Sequence, residues 1–144
     1  MSDVKEQVEY VIRNGCSTDV SFIFSTWLKS YLFGGHPHPA ERIYYSHHHA
    51  LLEAILQHPS TYLKVACDKK DHDLIFGYVV WTIPDVVQFV YVKPSWRRLG
   101  IGNALLAETG ITPRSAITFT HWTKAGHAWG NSMGASWNPY RILP

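Results

Sequence analysis

The sequence predicts one α+β domain with helices packed on a central sheet, and three observations predict it. The runs Leu74 to Thr82 and Val86 to Val92 are apolar on both faces, as strands covered from each side are. Strand-like and helix-like segments are interspersed in the order β-α-α-β-β-β-α-β-α, followed by a strand-like tail. The chain has 144 residues with no repeat, linker or low-complexity tract, so residues 1–144 form one domain.

Each element follows from local pattern. Gln7 to Arg13 alternates around Val8, Tyr10 and Ile12 and reads as a half-buried first strand closed by Asn14-Gly15. Ser17-Thr18-Asp19 offers N-caps to a helix with Val20, Ile23/Phe24, Trp27 and Tyr31 on one face. The glycines and prolines of residues 33–39 dictate a loop. A second helix presents Ile43, His47, Ala50/Leu51 and Ala54/Ile55, and stops near His58-Pro59. Thr61 to Cys67 is a strand, followed by a charged turn and the two apolar runs. A helix after Gly102 ends at Thr109-Gly110. Ser115 to Thr123 is another strand, and Lys124 to Met133 a short helix.

The stretch that carries chemistry is Val86 to Leu106. A strand delivers the chain to Arg97-Arg98-Leu99-Gly100-Ile101-Gly102-Asn103, and a helix starts there. Glycines permit close approach of the backbone, first-turn amides lack intrahelical partners, and two guanidinium groups suit a pyrophosphate. The loop is not a Walker loop, since Asn103-Ala104 stands where Lys-Ser/Thr belongs. Nor is it a dinucleotide fingerprint, which needs a third glycine in register.

The segment instead resembles the Gcn5-related N-acetyltransferase (GNAT) family, whose R/Q-x-x-G-x-G/A motif matches Arg97 to Gly102, with Pro94 and Trp96 in the flank. The resemblance extends over almost the whole chain. It implies a three-layer α/β/α fold around a mixed, mostly antiparallel sheet. It implies acetyl-CoA as co-substrate, with Val90, Tyr91 and Val92 beside the pantetheine arm and Arg97, Arg98, Leu99, Gly100, Ile101, Gly102 and Asn103 around the pyrophosphate. It further implies transfer of an acetyl group to an amine, on a peptide or small molecule, by direct attack in a ternary complex.

The resemblance thins toward the C-terminus. Setting Ala125 at the family's Ala position puts Trp122 at the Asn position and Trp129 at the Tyr position, where many members carry a general acid. An indole N–H donates a hydrogen bond but does not release its proton near neutral pH. Ser132 and Tyr140 are substitute acids. For a base the strands offer Gln88, Tyr91 and His121, with no carboxylate between Asp85 and Glu108. His121 is the candidate, its titration range suiting proton uptake from an ammonium. These departures leave open a second reading, a GNAT-fold module for CoA binding, regulation or protein interaction without turnover.

Gly126, Gly130 and Gly134 recur every four residues, at roughly 1 kcal/mol each against Ala in a helix. Either the helix approaches a neighbour closely or the segment is irregular. Nine histidines include His36, His38 and the run His47-His48-His49. Three adjacent helix positions point about 100° apart and cannot converge on one ion, so no metal is expected. The resemblance implies that this helix-loop-helix region shapes the acceptor cleft, where the imidazoles with Tyr31, Phe33, Tyr44 and Tyr45 would form a neutral, aromatic wall.

Composition sets outer limits. A formal charge of +2 does not suggest nucleic acid. No apolar run approaches the ~20 residues of a membrane span. Cys16 and Cys67 lack C-x-x-C spacing and read as reduced thiols. The polar first residues do not read as a signal peptide, and a cytoplasmic setting is expected (the host's, if the chain is phage-encoded). A homodimer is left open.

Overall fold

The computed structural model describes residues 9–34, 40–112 and 117–143. One sheet of six strands forms the centre, with strand order matching chain order. The strands are β1 (Tyr10–Asn14), β2 (Thr61–Asp68), β3 (Ile75–Thr82), β4 (Val86–Val92), β5 (Thr118–Phe119) and β6 (Ser136–Trp137). The helices are α1 (Val20–Gly34), α2 (Glu41–Gln57), α3 (Ile101–Ala107) and α4 (Lys124–Met133). β1 to β4 pair antiparallel, whereas β5 joins β4 and β6 joins β5 in parallel. The sheet is therefore mixed and mostly antiparallel, as the family resemblance implies.

The doubly apolar strands lie where their pattern requires. Every residue of β3 is buried. Tyr78 and Val80 face a layer containing Ile23, Trp27, Leu52 and Ile55 of α1 and α2. Phe76, Val79 and Trp81 face the other layer, with Ile101 and Leu105 of α3. Trp27 stacks on Phe89 of β4 with ring centroids 4.9 Å apart, so the first layer is fastened by an aromatic pair.

Three expectations need correction. The first strand begins at Tyr10, and its expected Gln7 and Val8 lie outside the described residues. In α2 the buried face is Tyr44, Leu52 and Ile55, while Ile43 and His47 are exposed. The helix is turned by one residue because Tyr44 and His48 find polar partners inside, and Ile43 has none to offer. Finally, of the strand expected over Ser115 to Thr123, Ser115 and Ala116 lie outside the described residues, and the continuous ladder with β4 covers Thr118 and Phe119, with Thr123 an isolated bridge. Thr120 N–H still reaches Val87 O at 3.1 Å, and after that the chain leaves β4.

Candidate active site

The departure of β5 from β4 makes the site. β4 carries a bulge: Phe89 pairs with Val80 and Val87 with Trp81, leaving Gln88 unpaired between them. β5 pairs with β4 only at Val86 and Val87. Lys93 N–H bonds Phe76 O at 2.8 Å, so Lys93 faces β3, and by alternation the main-chain groups of Val90 and Val92 face the other way. That edge has no strand partner among the described residues. A cavity of about 520 Å³ opens along it.

Of the residues expected around a cofactor, Val90, Tyr91, Val92, Arg97, Gly102 and Asn103 line this cavity. Arg98, Leu99, Gly100 and Ile101 do not line it with side chains. Leu99 is exposed, and the Ile101 side chain is buried in the core beneath α3. The loop has two left-handed residues, Arg98 at φ 66° and Gly100 at φ 83°. Arg97 Nε donates to Val92 O at 2.7 Å, tying the loop to the end of β4. The first bond of α3 runs from Ala104 N–H to Gly100 O, so the amides of Ile101, Gly102 and Asn103 precede the helical ladder. A Cβ on Gly100 would meet nothing within 4 Å, and one on Gly102 only Val92 Cγ2 at 3.8 Å. Neither glycine is crowded by a side chain of the described residues.

The opposite wall comes from α4. Thr123 is its N-cap, accepting Gly126 N–H at 2.9 Å, and Lys124, Ala125, Gly126 and Trp129 line the cavity. The glycines have separate causes. A Cβ on Gly130 would fall 2.7 Å from the Phe119 ring, so α4 lies flush on β5. Gly134 is the left-handed C-cap at φ 73° and stands outside the helix. The close approach expected of this segment is therefore real at Gly130, and the helix is regular. Trp129 lines the cavity. Neither substitute acid does. Ser132 is exposed and donates to Trp129 O at 2.8 Å, and Tyr140 is 92% exposed.

His121 lies at the far end, 4% exposed and lining the cavity. Its Nε2 is 2.7 Å from Nε2 of His48 on α2, and its Nδ1 is 3.0 Å from Thr120 Oγ1. Thr120 Oγ1 donates to Gln88 Oε1 at 2.7 Å, and Gln88 Nε2 donates to Thr82 Oγ1 and to Ile142 O. With the threonine proton given to Gln88, Thr120 accepts from His121 Nδ1–H, and Nε2 of a neutral His121 is left to accept from His48. His121 is therefore embedded in a hydrogen-bonded chain. No sequence signal pairs residues 73 apart, and Thr120 and His48 were both missed as partners.

The aromatic wall is partly different from that expected. Tyr31 and Tyr44 are buried, with Tyr31 centred 4.6 Å from the His121 ring and Tyr44 stacked 5.1 Å from His48. Phe33 and Tyr45 are exposed, and Tyr45 meets Tyr44 edge-on with ring centroids 5.3 Å apart. Burial raises both inner phenols above the ordinary range, for Tyr31 against an opposing pull from the Trp122 amide. His36 and His38 lie outside the described residues. Among the described residues, no group of three His, Cys, Asp or Glu is placed to hold a metal. Cys16 is exposed, Cys67 buried, and both are free thiols. No described helix is long and apolar enough to cross a membrane.

Comparison with solved structures places this architecture. A GCN5-related N-acetyltransferase from Ralstonia eutropha JMP134 superposes with a TM-score of 0.63 at 18% identity, over 87% of this chain and 91% of that one. The fold is that of the GCN5-related N-acetyltransferases. A proposed acetyl transferase from Pyrococcus furiosus matches the GNAT fold seen here at TM-score 0.58 and 22% identity, over 90% and 80% of the two chains. A GCN5-related N-acetyltransferase from Rhodopseudomonas palustris matches at 0.53 and 12%, over 71% and 64%. No protein-family model matches the sequence, and no curated protein sequence is significantly similar to it. The GNAT likeness is thus one of fold.

Proposed function

We propose that this chain is an N-acyltransferase that takes its acyl group from acetyl-CoA. The fork between β4 and β5 carries the proposal: a paired edge ends at Val87, and a cavity runs from there to a glycine loop. The edge groups of Val90 suit the amides of a pantetheine arm, as an added strand would use them. The main-chain N–H groups around Gly102 and Asn103, with Arg97 and Arg98, suit a pyrophosphate. The absence of any neighbour near a Cβ at Gly100 supports room for that group. Bound acetyl-CoA would supply a thioester already activated for acyl transfer.

This chain's own contribution is then positioning and polarity. Edge N–H groups past the Gln88 bulge act as a small oxyanion site for the carbonyl, and the amine acceptor attacks from the His121 end. Among the described residues, the charged side chains lining the cavity are Arg97 and Lys124, and no carboxylate lines it. Such a site favours a peptide or aromatic amine that arrives neutral over a polycation. Titration calorimetry with acetyl-CoA, and CoA release with a panel of amines and peptides, test the proposal. Absence of binding overturns it, and preference for polyamines overturns the acceptor class.

One observation favours a second reading. Both ring nitrogens of His121 are engaged, and Trp129 stands where the family's acid is expected. A CoA-binding GNAT-fold module without turnover fits these facts. Tight binding with no CoA release from any amine would select it.

A further inference from the structure

Gln88 is the residue on which the direction of the β4 edge turns. Thr120 N–H bonds Val87 O, so Val87 faces β5. Strict alternation from Val87 would send Phe89, Tyr91 and Lys93 to that side as well. Lys93 instead bonds β3. Gln88 is the extra residue that switches the alternation, and it is why the main-chain groups of Val90 and Val92 border the cavity. Because its backbone is left out of the ladder with β3, its side chain decides how firmly the bulge is held.

That side chain is 1% exposed and well bonded. Its Nε2 donates to Thr82 Oγ1 at 3.2 Å and to Ile142 O at 3.0 Å, and its Oε1 accepts from Thr120 Oγ1 at 2.7 Å. A carbonyl only accepts, so the atom facing Ile142 O is the nitrogen, and the carboxamide has one orientation. Thr82 closes β3, Thr120 follows β5 and Ile142 belongs to the C-terminal segment, so one amide ties three segments at the closed end of the fork. The last of these is itself pinned to both prongs. Asn138 N–H bonds Phe119 O at 3.0 Å, and Arg141 donates to Thr118 Oγ1 and to Asp85 Oδ1, each at 3.0 Å. Asp85 immediately precedes β4.

We propose that Gln88 is a positioning residue for the acyl carbonyl, locked in place by the strap of residues 138–142. The role rests on acetyl-CoA occupying the cavity as proposed. The carboxamide fixes the bulge, the bulge aims the edge N–H groups that follow it, and those groups polarise the carbonyl. The glycine loop lies at the other end of β4, where Arg97 ties it to Val92 O, and it does not depend on this lock. Loss of the lock is therefore felt by the acetyl group and not by the rest of the co-substrate.

Calorimetry with acetyl-CoA and with CoA, on wild type and Gln88→Met, separates the two effects. Methionine keeps the length of the side chain and removes the hydrogen bonds of its amide. Acetyl-CoA affinity is expected to fall by about tenfold, the size of one lost carbonyl contact, and CoA affinity by less than about twofold. The carbonyl resonance of acetyl-CoA labelled with carbon-13 reports the same contact, and its shift on binding is expected to shrink in the variant. Arg141→Ala loosens the strap from a partly exposed position and keeps the test open if Gln88→Met does not fold. It is expected to give the same selective loss, by about threefold or more. Equal losses for both ligands, or no loss for either, overturn the positioning role while CoA binding stands. No binding of CoA to the wild type overturns the role and the acetyl-CoA reading together, so the two failures are told apart.

Discussion

Arg97 reaches back to Val92 across the turn that leaves β4, its Nε donating to the Val92 carbonyl at 2.7 Å. One guanidinium thus both completes the strand edge and lines the cavity. The bond needs a planar donor held at a fixed angle, which an ammonium on a flexible stem does not reproduce.

Arg97→Ala is therefore expected to weaken acetyl-CoA binding by about ten- to a hundredfold, the range of a lost charge-assisted contact. Arg97→Lys should recover only part of this. Thermal stability should change little, since Arg97 is exposed. Calorimetry and a melting curve on the same preparations check both halves, and undiminished binding in Arg97→Ala would remove the loop from the site.

Gly100 and Gly102 should respond in opposite ways. Gly100 is left-handed, so Gly100→Ala is expected to cost about 1–2 kcal/mol of stability although its Cβ meets nothing. Gly102 lies in the first turn of α3, where Ala is a better helix former, and its Cβ makes only an ordinary contact. Gly102→Ala should be neutral or up to about 1 kcal/mol more stable. Gly102→Val should then weaken CoA binding by occupying the cavity. Urea unfolding separates the two stability effects, and unaltered binding in Gly102→Val would show that the ligand does not pass there.

These two glycines also mark how far the sequence could be read. A strand feeding a Gly-x-Gly helix start is a local pattern, so the β4 corner and its arginines were legible. The all-buried β3 was legible because both its faces are apolar. What escaped reading depends on distance. The Gln88 bulge shows no signal, because a glutamine in an apolar strand looks the same whether or not it is paired. The His48–His121 contact joins residues 73 apart, and the one-residue rotation of α2 follows from it. Hydrophobic period placed Ile43 and His47 inward, whereas the polar partners of Tyr44 and His48 decided the face. Gly134 escaped for another reason, since a four-residue spacing hides the difference between a helix interior and its cap.

Acid sensitivity should have one origin at the start of the chain. Arg13 donates to both carboxylate oxygens of Asp19, at 2.8 and 2.9 Å, and Asp19 is buried. That hydrogen-bonded guanidinium holds the Asp19 carboxyl below its ordinary value of 3.8, against the opposing effect of burial. A depressed carboxyl contributes stability above its unfolded value, and the contribution is lost as pH falls through the folded value. Asp19→Asn leaves the Arg13 charge poorly paired and is expected to cost about 3–5 kcal/mol near neutral pH. Urea midpoints should fall for wild type below about pH 4 and should be flatter there for the variant. Parallel acid profiles would mean that other carboxylates dominate.

The flush contact of α4 on β5 gives the most direct handle on the fork. A methyl added at Gly130 would fall 2.7 Å from Cε1 of Phe119, a buried ring that also lines the cavity. Gly130→Ala gains about 1 kcal/mol of helix propensity and meets about 1–3 kcal/mol of overpacking. The ring is held between α4 and the β4–β5 fork, so relief must come from α4 moving outward. The net stability change should be small or unfavourable by up to about 2 kcal/mol, while CoA binding weakens. Phe119→Leu removes the aromatic edge, so the double variant should be more stable than the sum of the two single changes predicts, by about 1 kcal/mol or more. Unfolding and binding measured around this cycle decide the matter. Strict additivity would show that helix and strand do not compete for the space between residues 119 and 130.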